Sequence, residues 1–164
     1  MSETEKPKSL CIIATKGTLD MAYPPFILAT TAVAMDMDAT IFFTFYGLEI
    51  LKKNKNLQVS PIGNPAAPPP FQGIPIGVPN IIGMLPGMTA VATSFMNSWM
   101  KKANVASIDK LIEHALKGGV RLIGCQMTMD VMGYKKEDFI DGIEIGGAAT
   151  YLDVAVDSTI NLAF

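Results

Sequence analysis

Short apolar runs recur along this chain, and each hands over to a stretch that reads as helix. Leu10-Cys11-Ile12-Ile13-Ala14-Thr15 is stopped by Lys16-Gly17, the pattern of a strand buried on both faces. The apolar stretch Leu19 to Met35 carries Pro24-Pro25 near its start. Proline is tolerated in a first helical turn, so a helix is expected from about Ala22 to Met35. Ala39 to Phe45, β-branched and aromatic, predicts a second buried strand, and Gly47 turns the chain into a short helix over Leu48 to Lys53. Strand, helix and strand at this spacing make a βαβ unit, which confines the chain to folds built on a parallel sheet.

The C-terminal part repeats the alternation. Ser107 is placed to cap a helix over Ile108 to Lys117, ended by Gly118-Gly119. Val120 to Cys125 follows as a strand, with helical turns expected over Met127 to Met132 and Lys136 to Phe139. A short strand at Gly142 to Ile145, a helix from Gly146-Gly147 to about Val156 and a closing strand from Thr159 to Phe164 complete the pattern. The class is α/β, an open and mostly parallel sheet with helices on both faces. Residues 1–9 read as a frayed tail, and 10–164 as a single domain carrying an insertion at about 56–104.

That insertion is unlike the rest. Between Lys55 and Lys101 there is no Asp, Glu, Lys or Arg, and eight of the 11 prolines lie there. Ile74 to Met100 is long enough on paper to cross a bilayer, which takes about 20 apolar residues. Pro75, Pro79 and Pro86, with Gly77, Gly83 and Gly87, would break a spanning helix, and Asn80, Asn97 and Ser98 add polar cost. Membrane association is therefore disfavoured. The expected alternative is a helical insertion whose Ile81, Ile82, Met84, Leu85, Met88, Val91, Phe95, Met96 and Trp99 contact another subunit of a homo-oligomer or border a pocket beside that contact.

Composition excludes several functions. Charged residues are only 17%, and Lys plus Arg (13) against Asp plus Glu (15) leaves a net charge of −2, so no basic excess exists to neutralise nucleic-acid phosphates. Two cysteines and one histidine are too few for a disulfide framework or a Cys/His zinc site, and no cofactor motif is present. Thr15-Lys16-Gly17-Thr18 lacks the spacing of a Walker loop. Met1 to Ser9 has no apolar leader segment, so the expected compartment is a reducing cytoplasm in which both cysteines stay thiols.

Cys125 is the strongest candidate for chemistry. It falls at the C-terminal end of a strand, where open α/β sheets place their sites, and Gln126-Met127-Thr128-Met129-Asp130 begins a helix behind it. Unpaired N–H groups there would stabilise a thiolate, the form that attacks sulfur or an electrophile. The other reading is a cysteine packed as a small hydrophobe. Lys16, with Gly17 in the loop after the first strand, would lie on the same sheet edge, either lowering the Cys125 pKa or binding an anionic sulfur group, or simply solvated. Asp130 is a cap, a repulsive neighbour or a hydrogen-bond orienter. His114 reads as a surface residue and Cys11 as a buried one; a disulfide between the cysteines stays open. A thiol peroxidase would need a base or Arg beside Cys125, and Arg121 is four residues back along the strand.

The order of the Cys11–Ile13 strand, the Thr15-Lys16-Gly17-Thr18-Leu19-Asp20 loop, the Thr44-Phe45-Tyr46-Gly47-Leu48 turn and Cys125-Gln126-Met127-Thr128-Met129-Asp130 with Gly133 resembles the DsrE/DsrF-like sulfurtransferase family, in the branch with a long apolar insertion sometimes labelled peroxiredoxin-like. The resemblance runs from about Leu10 to Phe164. It implies a flavodoxin-like three-layer sandwich, oligomeric (a trimer by analogy) and cytoplasmic. It also implies that sulfane sulfur is carried on Cys125 as a persulfide or thiosulfonate; the residues expected to bind beside it, from their place in the sequence, are Lys16, Gly17, Gln126, Met129 and Asp130. A sulfur donor and an acceptor thiol protein, such as a small carrier of the TusA type, are the implied partners. The competing expectation is a non-enzymatic, oligomeric or membrane-adjacent binding module in which Cys125 is structural.

Overall fold

The computed structural model describes residues 7–60 and 85–164. Strands β1 (Ser9–Ala14), β2 (Asp38–Phe43), β3 (Arg121–Cys125), β4 (Glu144–Gly146) and β5 (Ile160–Ala163) pair in parallel in the order β4-β3-β2-β1-β5. Helices α1 (Leu19–Ala34), α2 (Met88–Lys102), α3 (Ile108–Lys117), α4 (Gln126–Met132) and α5 (Ala148–Ala155) connect them, with 3-10 turns at Phe45–Leu51 and Lys136–Asp138.

The layering follows from chirality. From β1 to β4 the chain steps across the sheet in one direction, and right-handed crossovers put the intervening helices on one face. The return from β4 to β5, beside β1, reverses direction and leaves α5 on the other face. Alternation along the strands then sorts the side chains. Leu10, Ile12, Ala14, Ile41, Phe43 and Leu122 join Phe26 and Ala29 of α1 and Ile108 and Ile112 of α3 in the main core. On the opposite face Phe42, Ile123 and Cys125 form a smaller cluster, covered by Ile13 and by Tyr151 of α5. The sheet is thus sandwiched between helices, as the three-layer reading expects.

Two local departures have clear causes. Helix α1 begins at Leu19 rather than near Ala22, so Pro24 and Pro25 stand inside the helix instead of in its first turn. The start is fixed from outside: the Leu19 N–H donates to the Gln58 carbonyl at 2.8 Å, and Thr18 Oγ1 lies 3.1 Å from Ser60 Oγ. The prolines cost the bonds that would have ended on the Asp20 and Met21 carbonyls, but Pro25 and Phe26 are buried against the sheet. The short helix expected from Leu48 forms instead as a 3-10 turn from Phe45, with Leu48, Ile50 and Leu51 buried.

The described ends of the insertion are tied to the domain. Ser60 donates to the Asp20 carboxylate through its N–H (2.9 Å) and hydroxyl (2.8 Å), and the Val59 N–H donates to Thr93 Oγ1 of α2 at 3.0 Å. Helix α2 docks Met96 and Met100 on the core, has no buried residue, and leaves Val91 and Phe95 exposed. Ile81, Ile82, Met84 and most of the proline-rich run lie outside the described residues. No helix among the described residues is long and apolar enough to cross a membrane.

Burial pushes the Asp20 carboxyl up, but the Ser60 and Thr18 hydrogen bonds outweigh it and hold the group below the usual carboxylate range. A depressed acid stabilises the fold above its unfolded pKa and loses that contribution as pH falls through the folded value. Asp20→Ala is therefore expected to cost about 1–2 kcal/mol and to speed hydrogen exchange at the Ser60 amide. In the wild type the same loosening should appear only below about pH 4. Exchange at Ser60 that is unchanged in the variant would remove the strap.

Candidate functional site

Cys125 ends β3 and is the residue from which α4 starts. The register pairs Phe43 with Gly124, so the next residues, Thr44 and Cys125, emerge side by side from adjacent strands. Thr44 Oγ1 lies 3.0 Å from Thr128 Oγ1, and the Phe45 N–H donates to Thr128 Oγ1 at 3.2 Å. Both hydroxyls are buried, Thr128 being only 2% exposed. Phe45 has φ of 48°, a left-handed conformation that costs a bulky residue about 1–2 kcal/mol. The turn is held in that shape by the Gly47 N–H, which donates to the carbonyls of Thr15 (3.1 Å) and Thr44 (3.0 Å).

The environment favours a thiolate. Cys125 is 4% exposed, and burial alone would raise its pKa. Hydrogen bonds from the Thr128 N–H and hydroxyl, the Thr44 hydroxyl and the Met127 N–H outweigh that burial and bring the thiol below its ordinary value. Cys11 is the opposite case: fully buried in β1, it is pushed up by burial, with Ser158 and Arg121 only partly offsetting it.

The two cysteines cannot bond to one another within a chain. Cys11 lies opposite Thr40, which lies opposite Arg121, four residues before Cys125. At about 3.3 Å per residue that is roughly 13 Å along the strands, plus two strand spacings, far beyond disulfide reach. Both are free thiols. Under native conditions Cys125 is expected to be alkylated at least tenfold faster than Cys11, and to hold its rate to lower pH than an ordinary thiol. Peptide-resolved mass spectrometry after brief iodoacetamide treatment measures this; equal labelling of both would contradict it.

The other residues expected at the site divide. Lys16 and Gly17 line a separate groove of about 280 Å³ with Thr18, Tyr46, Glu49 and Ser60. Hydroxyls and N–H groups, not Lys16, lower the Cys125 thiol. Gly17 has a packing reason, since a Cβ there would sit 2.1 Å from the Tyr46 carbonyl oxygen. Gln126 and Asp130 face solvent and bond to one another, Nε2 to Oδ1 at 2.7 Å. Met129, four positions after Cys125, turns inward and is buried in the main core. Arg121 pairs with Glu144 through Nε (3.0 Å) and Nη2 (2.8 Å), away from the thiol.

Sequence reasoning missed Thr44 and Thr128. The available signal was Thr128 three residues after the cysteine that starts a helix, the spacing at which side chains meet a helix's first residue. It also missed a brace behind the site. Glu49 accepts hydrogen bonds from Tyr134 Oη and from Lys52 Nζ (2.8 Å), and Lys52 Nζ stands 3.8 Å from the centre of the Tyr134 ring. This joins the turn after β2 to the segment after α4.

A parallel sheet whose third strand delivers a buried cysteine to its C-terminal edge defines the class as a small α/β protein with a candidate thiol site. The chain belongs to the DsrE/DsrF/DrsH-like family, whose model matches residues 6–163. It is 49% identical to the protein named sulfur carrier protein DsrE2 of Allochromatium vinosum, over 94% of this chain and 97% of that one. It is 33% identical to the uncharacterized protein YrkE of Bacillus subtilis, over 97% and 98% of the two chains. Among solved structures, the ychN protein of E. coli shares the fold with a TM-score of 0.54 at 13% identity, covering 96% of this chain and 99% of the other. A protein of unknown function from Methanobacterium thermoautotrophicum does so at 0.53 and 8%, with the same coverage.

Proposed function

We propose that this protein is a sulfur carrier that holds sulfane sulfur on Cys125, as a persulfide or thiosulfonate, and passes it to the thiol of an acceptor protein. The observation that carries the reading is the place of Cys125 at the sheet edge, buried beside Thr44 and Thr128, where those hydroxyls and the N–H groups of Met127 and Thr128 bring its thiol below the ordinary value. A thiolate attacks the outer sulfur of a donor persulfide, and the surrounding apolar packing keeps water and oxidant from the product. The likeness to a named sulfur carrier over nearly the whole chain supports the same role. The acceptor must bring its thiol to a nearly closed site. Met127, Phe45 and Tyr46, all exposed on the elements that hold the sulfur, form the surface it would meet, and a small carrier of the TusA type is the proposed partner. The proposal includes a cytoplasmic location and a homo-oligomer, with Val91 and Phe95 of α2 at or beside the subunit contact.

Incubation with polysulfide, thiosulfate or tetrathionate, followed by mass spectrometry, tests the carrier. Sulfur mass should appear on the peptide holding Cys125 and leave again when a thiol is added. A wild-type protein that gains no such mass is not a carrier. Sedimentation in detergent-free buffer tests the oligomer, and a stable monomer would overturn that part.

A further inference from the structure

Two buried hydroxyls beside the sulfur have two protons between them. Thr44 Oγ1 and Thr128 Oγ1 are 3.0 Å apart, a distance that requires one proton in the bridge. The Phe45 N–H already occupies an acceptor position on Thr128 Oγ1. One hydroxyl proton is then left, and the sulfur beside the pair is that of Cys125, which neighbours Thr44 across the β2–β3 register and precedes Thr128 by three residues at the start of α4; both hydroxyls act to lower its pKa. The bridge runs in either direction, and in each a single O–H is left over to donate elsewhere. Phe45 is kept left-handed in the same turn, so the arrangement is maintained against backbone strain.

We propose that the Thr44–Thr128 hydroxyl pair is a leaving-group device that drives sulfur off Cys125 by stabilising the thiolate left behind. The proposal rests on the carrier reading above and deepens it. In the loaded state, Cys125–Sγ–SH, the inner sulfur is neutral and a weak acceptor. The acceptor thiolate attacks the outer sulfur, the S–S bond breaks, and its electron pair stays on Sγ, giving Cys125–S⁻ and an acceptor persulfide. No external oxidant or reductant is needed. The negative charge appears on Sγ beside the hydroxyl pair and at the start of α4, so the interactions that lower the thiol's pKa strengthen as the bond breaks. A thiol of lower pKa is also the faster leaving group. The pair therefore biases the site toward release.

The test uses the full chain, loaded with polysulfide and then mixed with excess 2-mercaptoethanol, with loss of sulfur mass from Cys125 followed in time. Thr128→Val should unload at least tenfold more slowly than wild type, and the pH midpoint of Cys125 alkylation should rise by about one unit. Thr128→Ser should restore both, which a packing role for the methyl group would not do. Thr44→Val should move both readouts in the same direction, because either variant leaves the remaining hydroxyl without the bridge that orients it. Thermal melts establish that each variant is folded; if Thr128→Val is not, Thr44→Val carries the test, and a folded Thr44→Val that unloads at the wild-type rate with an unchanged alkylation midpoint overturns the proposal. A folded Thr128→Val that unloads at the wild-type rate overturns the proposal and leaves the carrier reading standing. A wild type that never loads overturns the carrier reading and this step with it.

Discussion

Cys125→Ser is expected to take up no sulfur from polysulfide, tetrathionate or thiosulfate, while Cys11→Ser loads as the wild type does. Serine is nearly the same shape and can accept the same bonds from Thr44, Thr128 and Met127, so the fold and the site's geometry should persist. Its hydroxyl is not ionised at neutral pH and is a poor nucleophile toward sulfur. The loss should be complete, because the second thiol cannot substitute. Cys11 is fully buried in β1, and its pKa is raised where that of Cys125 is lowered. Whole-protein mass spectrometry of both variants after the same exposure measures the outcome. Sulfur bound to Cys11 in the Cys125→Ser variant would place the chemistry on the wrong strand.

The parts of this picture that were legible in the sequence are those set by near neighbours. The strand expected over Ala39 to Phe45 forms over Asp38–Phe43, and the capped helix after Ser107 forms where expected, because periodicity and capping act within a few residues. Cys125 was legible because a strand end followed directly by a helix start is itself a local pattern. What surrounds it was not. Thr44 and Thr128 are 84 positions apart and meet only because β2 and β3 pair in one register. Met129, adjacent in sequence to the helix start, points the other way, since four residues along a helix return it to the face that packs on the core. The start of α1 likewise depends on Gln58 and Ser60, residues of the insertion that no local signal links to Thr18.

Gly47→Ala is expected to lower stability by about 3 kcal/mol or more, a drop in melting temperature of roughly 6–12 °C for a domain of this size. The loops after β1 and β2 lie backbone against backbone. A Cβ on Gly47 would sit 2.2 Å from the Ala14 carbonyl oxygen, and the carbonyl belongs to a fully buried strand residue that cannot swing aside. The turn must move instead, and it is the turn that holds the site. The Gly47 N–H bonds to Thr15 and Thr44 would stretch, Thr44 would shift from Thr128, and the Phe45 N–H would lose its acceptor. The Cys125 thiol would then lose donors and its pKa would rise, so alkylation at neutral pH should slow along with the loss of stability. Gly147→Ala is the control: nothing lies within 4 Å of a Cβ there, and its cost should be about 1 kcal/mol at most. Melting curves and the pH dependence of Cys125 alkylation on the two variants decide the matter. A Gly47→Ala protein that melts with the wild type, or that melts early while Cys125 titrates unchanged, would separate the turn from the sulfur it is argued to hold.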